Sequence, residues 1–165
     1  MIVVSGSQQA LDLCARVLVD PERAVAVEDP GYPDARLVFG AIGARVCPVP
    51  VDAEGMVVAG IPAGACLAHV TPSHQYPTGV VLSLARRLEL LAWARRTGSV
   101  IVEDDYDSEF RFDGPPISSL AGLDDDGRVL YMGSFSKVLY PGLKLGYLVV
   151  PRSLVAPFRQ AHYDL

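Results

Sequence analysis

The chain has 165 residues, half of them hydrophobic and a fifth charged, with a formal net charge of −5. That length suits one domain, and a globular chain of this size buries roughly two-thirds of its unfolded surface. The composition excludes a disordered chain, the lack of an uncharged apolar run of ~20 residues excludes a membrane-spanning helix, and an acidic balance without any Lys/Arg block argues against a nucleic-acid surface on this chain.

Met1 leads straight into Ile-Val-Val, without the charged start, apolar centre and small-residue cleavage site of a signal peptide, so a cytoplasmic location is the default expectation. Ile2–Val4 reads as the end of a strand, and Ser5-Gly6-Ser7 opens a helix whose apolar positions Ala10, Leu11, Cys14, Val17 and Leu18 recur at helical spacing up to Asp20-Pro21. A strand, glycine turn and helix in that order aim free backbone N–H groups and the helix dipole at an anion. Ser7 and Gln8 add side-chain donors, although an ordinary N-cap at Ser7 would use the same residues. Ala24–Glu28 is a second strand, and Asp29-Pro30-Gly31-Tyr32-Pro33 forces an irregular turn with Tyr32 at its tip before a helix over 34–42. An aromatic in that place either covers one face of a planar ring or packs against its neighbours. Ala44–Val51 and Ala65–Val70 are further β-branched runs, joined by an exposed connection rich in Gly, Pro and Asp. The stretch Thr71-Pro72-Ser73-His74-Gln75-Tyr76-Pro77-Thr78-Gly79 is too broken for regular structure.

Ser83 caps an amphipathic helix with Leu84, Leu88, Leu91 and Ala92 on its inward face and Gly98 as its stop. Ser99–Val102 is then a buried strand running into Glu103-Asp104-Asp105-Tyr106-Asp107-Ser108-Glu109. Five carboxylates in those seven residues suggest a solvated loop or a metal site, although the glycine and alternation of a calcium loop are missing. After a Gly/Pro/Asp-rich excursion over 111–127, Arg128–Gly133 and Leu145–Val150 are apolar strands. The connection between them carries Ser134, Ser136, Lys137 and the turn pair Pro141-Gly142. A lysine caught between apolar strands loses hydration, which lowers its pKa and makes it a nucleophile toward an aldehyde, and serines three and one residues before it suit an anion. Cys14, Cys47 and Cys66 are odd in number and widely spaced in apolar surroundings, which suits reduced core residues better than a disulfide frame or a zinc site.

Strands alternating with helices predict an α/β fold, a mostly parallel sheet covered by helices on both faces as three αβα layers. Ligands in such sheets bind outside the carboxyl ends of the strands, where Gly6–Gln8, Tyr32, His74–Gly79, Asp104–Tyr106 and Ser134–Lys137 all fall.

GSQQALDL, VEDPGYP, TPSHQYPTGVVLS, EDDYDSEFR and GSFSKVLYPGLKLGYLVVP resemble the signatures of the fold-type I pyridoxal-phosphate enzymes, the class I/II aminotransferase superfamily. Within it, the likeness is to the aminotransferase-like domains of MocR-type regulators of the GntR family. The resemblance implies pyridoxal 5'-phosphate held as a Schiff base on Lys137, with its phosphate at Gly6, Ser7 and Gln8 together with Ser134 and Ser136. Lys144 would close the phosphate site where relatives usually have arginine. Tyr32 would stack on the pyridine, Asp104 would pair with the ring nitrogen, and Tyr106 would bond the ring oxygen. Tyr76 stands where the superfamily has an asparagine bonded to the ring hydroxyl, so that contact falls to His74, Gln75 or Tyr76, or is missing. Residues 1–165 are then expected to be a partial large domain, with a winged helix-turn-helix and a small C-terminal domain outside the chain. Two functions follow from the resemblance: an effector-sensing regulator domain that takes an amino acid or amine, or a free aminotransferase acting on an amino acid and a 2-oxo acid. The full-length protein is expected to be a homodimer that meets DNA only through the winged helix.

Overall fold

A computed structural model describes residues 1–107, 118–137 and 139–165. The β-branched and small apolar runs form strands β1 (Ile2–Val4), β2 (Ala24–Asp29), β3 (Arg45–Asp52), β4 (Gly55–Met56), β5 (Ala65–Val70), β6 (Val100–Asp105), β7 (Val129–Ser134) and β8 (Gly146–Val149). Between them lie helices α1 (Gly6–Leu18), α2 (Pro33–Ala41), α3 (Leu84–Thr97) and α4 (Leu120–Leu123), and α5 (Val155–Tyr163) follows β8. The strands make one sheet in the order β1-β8-β7-β6-β5-β2-β3-β4. The central pairs β7-β6, β6-β5, β5-β2 and β2-β3 are parallel, and antiparallel pairing is confined to β1-β8 and β8-β7 at one end and β3-β4 at the other.

Alternation along each strand divides its side chains between two cores. Val25 and Val27 of β2 join Leu11 and Leu13 of α1, Phe39 of α2 and Phe158 of α5 on one face. Ala24 and Ala26 join Leu90, Trp93 and Ala94 of α3 and Leu120 of α4 on the other. The expected three-layer α/β arrangement is therefore present, with each large buried side chain contributing about 1.5–3 kcal/mol. Cys14, Cys47 and Cys66 are free thiols, and burial, with Asp104 nearby, pushes the Cys14 thiol far up. Among the described residues no helix is long and apolar enough to cross a membrane.

One expectation needs correction. Helix α3 is capped as read, with the Ser83 side chain accepting from the Arg86 N–H and Gly98 in the left-handed conformation at φ 72°. Its buried face, however, is Arg87, Leu90, Trp93 and Ala94, while Leu84 and Leu88 are 51% and 52% exposed. The physical reason is Arg87, which fills an inward position and donates from Nε to the Leu82 carbonyl at 3.0 Å, from Nη2 to the Pro72 carbonyl at 2.7 Å and from Nη1 to the Ser118 carbonyl at 3.3 Å. Its Nη1 also lies 3.7 Å from the buried Glu103 carboxylate. A hydropathy pattern counts an arginine as outward, which rotates the inferred apolar face away from the real one.

Candidate functional site

Because β2, β5, β6 and β7 are parallel neighbours, their carboxyl ends share one edge of the sheet. The exit of β1 reaches the same edge, since Gly146 of β8 is opposite both Ser134 of β7 and Val4 of β1. A cavity of about 270 Å³ opens there, lined by Ser7, Tyr32, Thr71, Tyr76, Asp104, Tyr106, Ser134, Ser136 and Lys137. Eight of these nine residues are ones the sequence reading singled out, drawn from the exits of five strands.

At one wall the N-terminus of α1 is open. Ser5 makes no side-chain capping bond, the first turn holds no acidic residue, and Gly6 takes φ +80° to turn the chain out of β1 into the helix. N–H groups left without intrahelical partners, together with the helix dipole, favour an anion at such a place. The Ser134 and Ser136 hydroxyls are 2.9 Å apart, and the Ser136 N–H donates to Ser134 Oγ at 3.1 Å, so a tight turn off β7 presents both beside Lys137. Lys137 itself is exposed, which corrects the expectation of an amine desolvated between strands: β7 ends at Ser134 and β8 begins only at Gly146, so Lys137 stands on the turn outside both.

The acidic run separates by side. Glu103 turns into the second core and accepts from the Leu120 and Ala121 N–H groups at 2.9 Å each; burial raises its carboxyl pKa, partly offset by those bonds and by Arg87. Asp105 accepts from the Tyr131 hydroxyl at 2.6 Å. Asp107 pairs with His74 Nδ1 at 2.7 Å. Of the described carboxylates in the run, Asp104 is the one that lines the cavity, at 5% exposure, with His69 Nε2 behind it at 3.4 Å, an ion-pair distance without a hydrogen bond. Ser108, Glu109 and residues 111–117 of the excursion lie outside the described residues. Among those described, no group of three or more His, Cys, Asp or Glu is arranged to hold a metal ion.

Three tyrosines form the aromatic wall. Tyr32 and Tyr76 meet edge to face at 5.9 Å and 82°, and Tyr76 meets Tyr106 at 6.5 Å and 80°. Burial first, and neighbouring carboxylates second, push the Tyr32 and Tyr106 hydroxyls up to about 12, so both stay protonated at neutral pH. The Tyr106 hydroxyl donates to the His74 carbonyl at 2.8 Å.

Five expected residues do not line the cavity. His74 stacks on the far side of Tyr106, with ring centroids 6.1 Å apart, and is half exposed. Gln75 is buried, its amide engaged with Glu28, Pro30, Tyr76 and Thr78, so of the three candidates for the ring-hydroxyl contact only Tyr76 reaches the cavity. Gln8 and Lys144 line a separate groove with Ser5 and Asp12. Gln8 is one helical step past Ser7 and so faces a different side of α1, while Lys144, at φ 45° after the turn Pro141–Leu143, brings only its backbone near Gly6. Gly6 shapes the turn without lining the cavity. Thr71 was missed by sequence reasoning; its signal was its place as the first residue after β5, a strand exit like the others.

An α/β sheet whose parallel strands end on a serine-lysine turn, a buried aspartate and a tyrosine wall has the architecture of an aminotransferase fold. The chain belongs to the family described as aminotransferase class I and II, whose model matches residues 1–163. It is 46% identical over 159 residues to the HTH-type transcriptional regulator TauR of Rhodobacter capsulatus, covering 96% of this chain and 33% of that protein. It is 44% identical over 161 residues to the probable rhizopine catabolism regulatory protein MocR of Rhizobium meliloti, covering 97% and 33%. The crystal structure of Pyrococcus horikoshii kynurenine aminotransferase, in complex with PMP and with substrates and products, superposes at a TM-score of 0.92 and 35% identity, over 96% of this chain and 42% of that one. The chain thus spans about a third of the length of these curated relatives.

Proposed function

We propose that the cavity binds pyridoxal 5'-phosphate, attached through Lys137, and that the chain is part of the effector-sensing large domain of a MocR/GntR-type transcriptional regulator. The observation that carries this reading is the meeting, in one cavity, of the open α1 N-terminus, the Ser134–Ser136 hydroxyl pair, Lys137 and the nearly buried Asp104. That donor set fits a phosphorylated, cationic aromatic aldehyde: donors for a dianion, an amine for the aldehyde and a carboxylate for a ring N–H. When bound, pyridoxal phosphate supplies an aldehyde that condenses with amines and a ring that withdraws electrons from the carbon next to them.

The chain's own residues would do the following. Ser7, Ser134 and Ser136 donate to the phosphate, and Asp104, kept from water by the wall, balances a protonated ring nitrogen. Tyr32 and Tyr76 bound the ring, and Tyr106 offers a neutral hydroxyl. Lys137 would hold the group through Nζ, and that Nζ, when free, could hold or pass a proton. In a regulator, a change in what Lys137 holds would serve as the signal. A free aminotransferase is the second reading, favoured by the likeness to kynurenine aminotransferase. We further read residues 1–165 as a partial large domain within a homodimeric protein whose DNA contact comes from a winged helix elsewhere, in keeping with relatives named HTH-type regulators.

The test is to add pyridoxal phosphate, reduce with borohydride and map the labelled peptide. The expected result is a visible absorbance band and a single label on Lys137. A label spread over other amines, or one found on Lys144, would overturn the assignment.

A further inference from the structure

Glu28 stands one residue before the end of β2, is 3% exposed, and does not line the cavity. One of its oxygens, Oε2, accepts three hydrogen bonds: from the Thr71 N–H at 3.2 Å, the Thr71 hydroxyl at 2.7 Å and Gln75 Nε2 at 3.1 Å. Both donor residues pass the connection on. Thr71 Oγ1 accepts the Tyr76 N–H at 3.0 Å, and Gln75 Nε2 also donates to the carbonyls of Pro30 at 2.8 Å and Tyr76 at 2.6 Å. A single buried carboxylate therefore ties together the turn after β2, which carries Tyr32, and the irregular stretch after β5, which carries Tyr76.

The local backbone is built for this. A Cβ at Gly31 would lie 2.3 Å from the Glu28 carbonyl oxygen, so only glycine lets the chain fold back over Glu28. Arg36 of α2 donates to that same carbonyl at 2.8 Å and to Asp29 Oδ1 at 2.7 Å, fixing the other side of the turn. His69 of β5 and Tyr106 after β6 are the further titratable groups that feel its charge.

We infer that Glu28 is the positioning residue of the site: by holding Thr71 and Gln75 it sets the edge-to-face angle of Tyr32 and Tyr76, and so the shape of the cavity wall that they form. This rests on the reading that the cavity takes pyridoxal phosphate. A buried carboxylate accepting three donors needs a reason, because burying it costs more than burying an amide of the same shape. Oε2 gathers all three donors at one point, and those donors lead to the two rings.

The test uses the whole protein as wild type, Glu28→Gln and Gln75→Leu, the last removing the bonds to Pro30 and Tyr76 without altering a cavity-lining side chain. Each is titrated with pyridoxal phosphate, and circular dichroism is recorded in the tyrosine region before addition and in the visible band at saturation. Both variants are expected to bind about threefold to tenfold more weakly, as the loss of one or two hydrogen bonds implies. Both should also show a smaller visible signal per bound cofactor and a changed tyrosine signal without cofactor. A variant that is merely less stable would regain the full visible signal at saturation. If wild type gives no visible band, the cofactor reading fails, and the tyrosine signal still decides the role of Glu28. If wild type binds while both variants match it in affinity and in both spectra, the inference is overturned. Should Glu28→Gln fail to fold, Gln75→Leu carries the same comparison.

Discussion

At the scale of single residues, the acidic run after β6 shows how neighbouring carboxylates acquire separate tasks through strand alternation and partner choice. Asp104 and Asp107 form a matched pair for testing this. We predict that Asp104→Asn weakens pyridoxal phosphate binding about tenfold or more, since a neutral amide does not balance a protonated ring nitrogen in a site shielded from water. Asp107→Asn should change binding by less than about threefold, because its partner His74 is 52% exposed and such pairs are worth at most about 1 kcal/mol. Equal effects in the titration would mean that the run acts as bulk charge. Glu28 gives a pH test. Burial raises its pKa in the folded protein, opposed by its bonds from Thr71 and Gln75 and by His69. A raised folded pKa means that Glu28's contribution to stability is fully present below the unfolded carboxyl value and is lost as pH rises through the folded one. Glu28→Gln does not titrate, so the wild-type melting temperature should gain on the variant's as pH falls from neutral toward about 4.5. A constant difference across that range would refute the shift. Most of the cavity's residues were legible because their types are chemically demanding: a lysine after two serines, an aspartate at a strand end, tyrosines in broken loops. Gln8 and Lys144 were misplaced because a motif gives sequence distance, whereas one helical step or one left-handed residue changes which groove a side chain enters.

At the scale of elements, most strands were legible from β-branched runs and the turns from Gly and Pro, with ends within three residues of the reading, but the short β4, with Met56 buried, lies in a connection read as exposed and was missed. The inward face of α3 was not legible, because its key residue is an arginine. Arg87 joins the helix to the Leu82, Pro72 and Ser118 carbonyls and to Glu103, and Pro72 opens the irregular stretch that ends at the tyrosine wall. We predict that Arg87→Met destabilises the protein by about 3–5 kcal/mol in urea unfolding, since it leaves Glu103 as a buried charge without its cation. Leu88→Ala, on the exposed side, should stay within about 0.5 kcal/mol. If Leu88→Ala were the costlier change, the assignment of the helix face would be wrong.

At the scale of the whole molecule, the cavity belongs to no single element, so a ligand in it holds the exits of five strands at once. Binding to the folded state alone should therefore stabilise the entire domain, by about 2.7 kcal/mol at a ligand concentration a hundred times the dissociation constant. Thermal melts at increasing pyridoxal phosphate should shift as one cooperative transition, and an early unchanged phase beside a shifted one would show that the sheet is not a single unit. The pairing of β1 has a further result. Strand β1 precedes β2 to β7 in sequence yet has β8 as its sheet neighbour, and Ser7 just beyond it shares the cavity with Lys137, after β7. During synthesis on the ribosome, β1 must wait for β8 to emerge before the two can pair. Assembly of the cavity is thereby tied to the arrival of β8, and an interrupted translation product that stops before Gly146 would lack the neighbour that seats β1 and brings Ser7 to the cavity.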